Sequence, residues 1–118
     1  MQVQVHTDDN IQGGESLARW IQEESTARLA RFREHITRVE VFLTDVAAGK
    51  ASANDKRCRI EARPAGRQPV TVTADADKTA DAFTACIDKL IRALETDLGR
   101  VKDRNSRETI RTQEEAQE

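Results

Sequence analysis

The sequence predicts an α+β domain of order β-α-β-β-β-α: a four-stranded mixed sheet with two helices packed on one face. Three observations predict it. Four segments, around Val3, Val41, Ile60 and Val72, alternate apolar and polar residues with period two. Two longer segments, around Ile21 and Leu90, repeat apolar residues at helical spacing. Each alternating segment has only one apolar face, so both helices must cover the same side of the sheet and leave the other open.

The elements follow in order. Gln2 to His6 is a short strand with Val3 and Val5 on one face. Asp8, Asp9, Asn10, Gly13 and Gly14 form a polar connection, and Ser16 is the candidate N-cap of a helix from about Leu17 to Glu34. Leu17, Ile21, Leu29 and Phe32 mark the apolar stripe of that helix, with Ala18 beside it. Ser25 interrupts the stripe and Arg28 lies near its edge, so the helix is expected to drift or bend near Ser25. Trp20 flanks the stripe and is expected to be partly buried.

Thr37 to Val46 is the clearest strand, with Val39, Val41 and Leu43 facing one way and Arg38, Glu40 and Phe42 the other. Ala47 to Asp55, small and polar, reads as a long hairpin loop. Lys56 to Arg63 turns Cys58, Ile60 and Ala62 inward and Arg57, Arg59, Glu61 and Arg63 outward. After a turn over Pro64 to Pro69, Val70 to Asp75 is the last strand. A strand–helix–strand start implies a right-handed crossover and a parallel first pair. The open face is expected to carry Gln2, Gln4, Arg38, Phe42, Arg57, Arg59, Arg63, Thr71 and Thr73.

A second helix runs from Lys78 to about Arg100, with Asp75 or Asp77 as candidate cap. Its stripe is Ala80, Phe83, Ile87, Leu90, Ile91, Leu94 and Leu98. At about 100° per residue, Lys78, Lys89, Arg92 and Arg100 share one flank with Ala82, Ala85 and Thr96. Asp81, Asp88 and Glu95 sit on the opposite side. A sign-sorted flank can follow the phosphates of a polyanion, whereas a merely solvated face usually alternates signs. Beyond Gly99 the pattern fades. The chain accordingly divides into a domain over residues 1–102 and a disordered, charged tail over residues 103–118.

The formal net charge of −2 conceals an uneven distribution. Residues 1–55 hold 6 basic and 9 acidic side chains, residues 56–104 hold 11 and 8, and residues 105–118 hold 2 and 4. The second half of the domain is basic and an acidic tail follows it. No apolar run approaches the roughly 18 residues of a membrane span, and nothing resembles a signal peptide, so a cytoplasmic protein is expected. Cys58 and Cys86 fall at inward positions and read as free buried thiols.

No catalytic constellation emerges. His6 and His35 end a strand and a helix, Ser16 and Ser25 have no histidine partner, and Gly13-Gly14 lacks the spacing of a phosphate loop. No cofactor, metal or small-molecule substrate is expected. Binding is better supported, through the basic flank of the second helix and through Arg57, Arg59 and Arg63 on the open face. Glu40 and Glu61 are possible ion-pair partners for these arginines. Phe42 is the only outward aromatic, which fits stacking of single strands poorly; duplex or folded RNA recognised by shape and phosphate fits better.

The order of elements, the strand Ile36-Thr37-Arg38-Val39-Glu40-Val41 after a basic helix, and the helix segment Asp88-Lys89-Leu90-Ile91-Arg92-Ala93-Leu94 resemble the ribosome hibernation factors. That family comprises hibernation-promoting factor and ribosome-associated inhibitor A, often described as sigma-54 modulation proteins. The resemblance covers about residues 1–102. It implies a fold similar in outline to double-stranded RNA-binding domains. It also implies binding in the small-subunit channel between head and body, over the mRNA path and the tRNA sites. Such a factor blocks initiation and preserves idle ribosomes in stationary phase, as part of a stress response.

Matched by position, Ala27-Arg28-Leu29-Ala30-Arg31 resembles the family's first basic motif and marks Arg28 and Arg31. Lys89 and Arg92 match the basic positions of the second motif. Arg100 is a further RNA-binding candidate, and Arg57, Arg59 and Arg63 are secondary ones. The sequence departs from the family where Thr79-Ala80 replaces an aromatic and where the first helix carries one extra residue. The resemblance is to the short form, without the second, dimerising domain. It implies a translation regulator whose partners are the small ribosomal subunit and its rRNA, with no membrane partner, and which is a monomer off the ribosome. The alternative from the residues alone is a protein-interaction module of the same fold, using the open sheet face and the acidic tail.

Overall fold

The computed structural model describes residues 1–47 and 55–117, with side chains described through Gly99. Its elements are β1 (Gln2–Thr7), α1 (Gly14–Arg28), a single 3-10 turn (Ala30–Phe32), β2 (Ile36–Asp45), β3 (Lys56–Pro64), β4 (Val70–Ala76) and α2 (Thr79–Gln117). The sheet order is β1-β2-β3-β4, with β1 parallel to β2 and the other two pairs antiparallel. This is the expected α+β architecture. Helix α1 packs on β1, and α2 lies across β3 and β4.

The core is the layer between the sheet and the helices. Val39, Val41, Leu43, Cys58, Ile60 and Ala62 are buried from the two central strands. Ile21, Leu29 and Phe32 meet them from the first helical segment, and Phe83, Cys86, Ile87, Leu90 and Leu94 from α2. Each large side chain removed from water contributes about 1.5–3 kcal/mol. Ala80, placed on the stripe by its spacing, is exposed, whereas Ala82 is fully buried. The buried arc of α2 is therefore turned toward the basic flank. Trp20 is 40% exposed and meets the Phe83 ring edge-on, with centroids 5.5 Å apart.

Helix α1 differs from its expected span at both ends. It starts at Gly14 because Gly13 stands at the cap position with φ +111°, a backbone state that favours glycine. A Cβ there would lie 2.9 Å from the Leu17 Cβ. Ser16 thus sits inside the helix and is not its N-cap. The helix ends at Arg28, with the Leu29 N–H donating to the Ser25 carbonyl at 3.0 Å, and the following 3-10 turn carries Phe32 into the core. The expected disturbance near Ser25 is thus realised as a helix end. The Ser25 hydroxyl is buried without a hydrogen-bond partner.

Helix α2 continues to Gln117, past the expected end near Arg100. Residues 100–117 contain neither Gly nor Pro and are rich in Glu, Gln and Arg, which favour helix. Side chains beyond Gly99, including that of Arg100, lie outside the described residues, and the division of the chain at residue 102 depends on them. Residues 48–54 of the expected hairpin loop also lie outside them. Next to this segment, Val46 N–H donates to the Asp55 carbonyl at 2.8 Å, and Lys56 pairs with Asp55 at 2.9 Å and Asp45 at 3.4 Å.

Replacing Ser25 by Ala removes a buried hydroxyl that satisfies no partner and keeps a good helix former in place. Such a hydroxyl costs about 1–3 kcal/mol. The Ser25→Ala variant is expected to be more stable by about 1 kcal/mol, read as a rise in the thermal unfolding midpoint.

Candidate nucleic-acid interface

The two charged flanks of α2 meet different surroundings. On the acidic flank, Asp88 is ion-paired by Arg28 and Glu95 by Arg31, so the basic residues following Ser25 are drawn onto the second helix. The Arg31 guanidinium also lies 4.6 Å over the Phe32 ring. Both pairs are partly solvent-exposed, and such pairs contribute about 0–1 kcal/mol each.

The basic flank runs along the outer strand, β4. Lys89 is exposed and its ammonium donates to the Thr73 carbonyl at 2.8 Å. Arg92 is exposed, and among the described residues its guanidinium meets no acid. The carboxylates one turn before and one turn after it on the same helix, Asp88 and Glu95, are engaged by Arg28 and Arg31. Lys78 is exposed at the start of this flank. The sequence-predicted set is thus divided: Arg28 and Arg31 pair with carboxylates of α2, whereas Lys89 and Arg92 are in no ion pair among the described residues, although the Lys89 charge acts on the Asp75 carboxylate held by Arg57.

The open sheet face is organised in cross-strand rows. In the first, Arg38 stands between Gln2 and Arg63. Gln4, Glu40, Glu61 and Thr71 form the second; His6, Phe42, Arg59 and Thr73 the third; Thr44, Arg57 and Asp75 the fourth. Arg38 pairs with Glu40, and Arg63 with Glu61 at 3.2 Å. The two glutamates therefore do partner sheet arginines. Arg57 holds Asp75 through two hydrogen bonds, at 2.9 and 3.2 Å, which keeps that carboxyl below its ordinary pKa. Arg59 instead lies over the Phe42 ring, 4.2 Å from its centroid.

A buried charge cluster escaped the sequence reading. Asp97 accepts from Arg67 Nε at 2.9 Å and lies 2.9 Å from His35 Nε2, with Asp97 and His35 side chains only 15% and 16% exposed. It ties the approach to β2, the turn between β3 and β4, and α2 together. Its signal was available: at 100° per residue, Asp97 falls within the apolar arc, near Leu90. A carboxylate there needs a partner. His6 was also passed over, although its ring stacks on Phe42.

Cys58 and Cys86 are free and buried, as expected. The Cys86 thiol donates to the Cys58 carbonyl at 3.3 Å, and its hydrogen bonding together with burial pushes the Cys58 thiol well above the ordinary range. Among the described residues no group of His, Cys, Asp and Glu could hold a metal ion. No described helix is long and apolar enough to cross a membrane.

The fold is a one-sided α+β layer, a four-stranded mixed sheet with two helices on one face. The family described as "Sigma 54 modulation protein / S30EA ribosomal protein" matches residues 3–106, and the chain belongs to that ribosome-associated family. No curated relative matches the chain in sequence. Among solved structures it is similar to a ribosomal subunit interface protein from Coxiella burnetii. That match has a TM-score of 0.65 and 14% identity, covering 84% of this chain and 99% of that one. It is also similar to the N-terminal domain of Thermus thermophilus Protein Y, with a TM-score of 0.58 and 20% identity, covering 76% of this chain and 91% of that one. These likenesses establish the shared fold.

The Asp97 cluster yields a pH dependence. Burial disfavours the charged carboxylate, but hydrogen bonds from His35 and Arg67 outweigh it and hold Asp97 below its ordinary pKa. A depressed folded-state pKa contributes stability that is present above the unfolded value of about 3.9 and is lost as pH falls through the folded value. The thermal midpoint is therefore expected to fall on acidification below about pH 4. Asp97→Asn should flatten that part of the profile, and Asp97→Ala should cost about 2 kcal/mol at neutral pH by stranding its partners.

Proposed function

We propose that this chain is a ribosome hibernation factor, a non-enzymatic inhibitor of translation. In this reading residues 1–102 occupy the small-subunit channel over the mRNA path and tRNA sites and hold rRNA through phosphate contacts. Residues 103–118 form a charged tail outside that domain. Membership of the ribosome-associated family supports the setting. The likeness to the Coxiella burnetii ribosomal subunit interface protein agrees with it.

One observation carries the residue assignment: Lys89 and Arg92 are exposed on a helix flank where neither is in an ion pair among the described residues. Cations not already neutralised gain most from a phosphate and release counterions from the RNA. Arg28 and Arg31 contribute second, by exchanging Asp88 and Glu95 for phosphate. Arg100 extends the same flank by sequence position.

Co-sedimentation with small subunits across a salt series tests the reading. The Lys89→Glu, Arg92→Glu double variant is expected to bind about tenfold more weakly or worse and to show a shallower salt slope, by about one unit per lost contact. Its thermal midpoint should stay close to that of the parent chain. Unchanged association in that variant refutes the site, and salt-independent association refutes phosphate contact.

The seam gives an opposite-signed expectation. Asp88→Asn with Glu95→Gln frees Arg28 and Arg31 from their carboxylates at a stability cost of about 1 kcal/mol or less. That variant should associate with small subunits several-fold more tightly at low salt.

A further inference from the structure

The third row of the open sheet face is built differently from its neighbours. His6 on β1, Phe42 on β2 and Arg59 on β3 occupy successive register positions. The imidazole stacks on Phe42 with centroids 4.8 Å apart and planes 16° from parallel. The Arg59 guanidinium lies 4.2 Å from the centroid of the same ring. Three planar groups from three adjacent strands therefore form one short stack on an exposed surface.

Its two ends are chemically distinct. At one end the His6 side chain is 48% exposed, and β1 is an edge strand, so the sheet adds nothing beyond it. At the other, Arg59 faces Thr73 across the strand pair. Arg38, Arg57 and Arg63 on the same face are each paired with a carboxylate. Among the described residues Arg59 is in no ion pair, and its guanidinium donors remain available. Of the acids of the adjacent row, Glu61 is engaged by Arg63 and Glu40 by Arg38, and the His6 Nε2 edge lies 3.8 Å from Glu40 Oε2, which leaves the ring face for stacking.

We propose that the His6–Phe42–Arg59 row is a binding site for a short unpaired stretch of RNA, with a base continuing the stack at His6 and a backbone phosphate taken by Arg59. A free planar ring face and an uncompensated guanidinium are complementary to those two parts of a nucleotide. The two end groups stand two strand spacings apart, about 10 Å, a span that a short stretch of single strand bridges and a lone phosphate does not. Every base has a π-face, so such a site accepts sequence broadly and rejects paired bases, whose faces are already stacked. The proposal rests on the chain being an RNA-binding protein, but it uses a different face from the α2 flank.

The test uses the full chain and two probes: a short adenine-only RNA single strand and a blunt RNA duplex of the same total charge. The His6 and Phe42 ring resonances should shift with the single strand and not with the duplex. Phe42→Ala should weaken the single strand about fivefold, the lower end of the range for a stacked base, and leave the duplex unchanged. Phe42→Leu, which keeps an apolar side chain, should lose the same affinity, and thermal melting checks that both variants remain folded. Arg59→Lys keeps the charge but not the planar group, and should also weaken the single strand.

The Lys89→Glu, Arg92→Glu variant should lower affinity for both probes without abolishing the His6 and Phe42 shifts. Failure at the α2 flank is thereby distinguishable from failure here. Equal binding of the single strand by Phe42→Ala and the parent chain overturns the proposal. So does an oligoglutamate peptide that moves the same resonances as strongly as the RNA, which would make the row a site for an acidic protein segment.

Discussion

Every strand of this sheet has one apolar face, and that constraint governs the rest of the molecule. Val39, Val41 and Leu43 on β2, and Cys58, Ile60 and Ala62 on β3, all turn to the same side. The two helices must then lie side by side over it, because no second apolar surface exists to receive one of them. Side-by-side packing brings one flank of α2 against α1 and leaves the other at the β4 edge. The opposite sheet face remains in water, where its rows of arginine, glutamate, imidazole and phenyl groups are free to be organised by one another.

The sign sorting of α2 follows from that placement. Asp88 and Glu95 face the end of α1 and the 3-10 turn, which carry Arg28 and Arg31, whereas Lys89 and Arg92 lie on the side of the outer strand. Acid toward the partner helix removes charge repulsion from the seam, and cation toward the edge discourages another strand from pairing there. Lys89 serves that second purpose directly through its bond to the Thr73 carbonyl. A distribution that suits the free fold therefore also gathers Lys89 and Arg92, neither in an ion pair among the described residues, along one border.

The periodicities made the fold legible because burial on a single face leaves a period-two trace in each strand and a helical trace in each helix. They also marked Ser25 as a point of disturbance, though not that α1 would end within one turn of it. What the sequence did not reveal was mostly pairing across long separations. Arg28 and Asp88 are 60 positions apart, Arg31 and Glu95 64, and no local pattern links them. The cap at Gly13 was missed because a polar side chain at Ser16 matched a commoner way to start a helix. Asp97 is hidden for a different reason: the seven apolar members of the stripe define its arc and mask a single carboxylate within it. The His6–Phe42–Arg59 stack required the register of three strands, which alternation alone leaves open.

The two sets of helix cations have different physical weight in any encounter with RNA. At physiological ionic strength the field of a charge is screened over about 8 Å, so at longer range a compensated pair such as Arg28 with Asp88 contributes little. Lys89 and Arg92, outside such pairs among the described residues, would in the proposed mode bias the approach so that the β4 edge meets the polyanion first. At contact the ranking narrows. An exposed ion pair holds its arginine by about 0–1 kcal/mol, less than a charge-assisted hydrogen bond to a phosphate returns. The residual cost is the carboxylate left behind, which then faces the RNA as a bare anion. In the proposed binding mode, orientation would be set by the border residues, while the seam would adjust affinity through how far Asp88 and Glu95 can turn away into water.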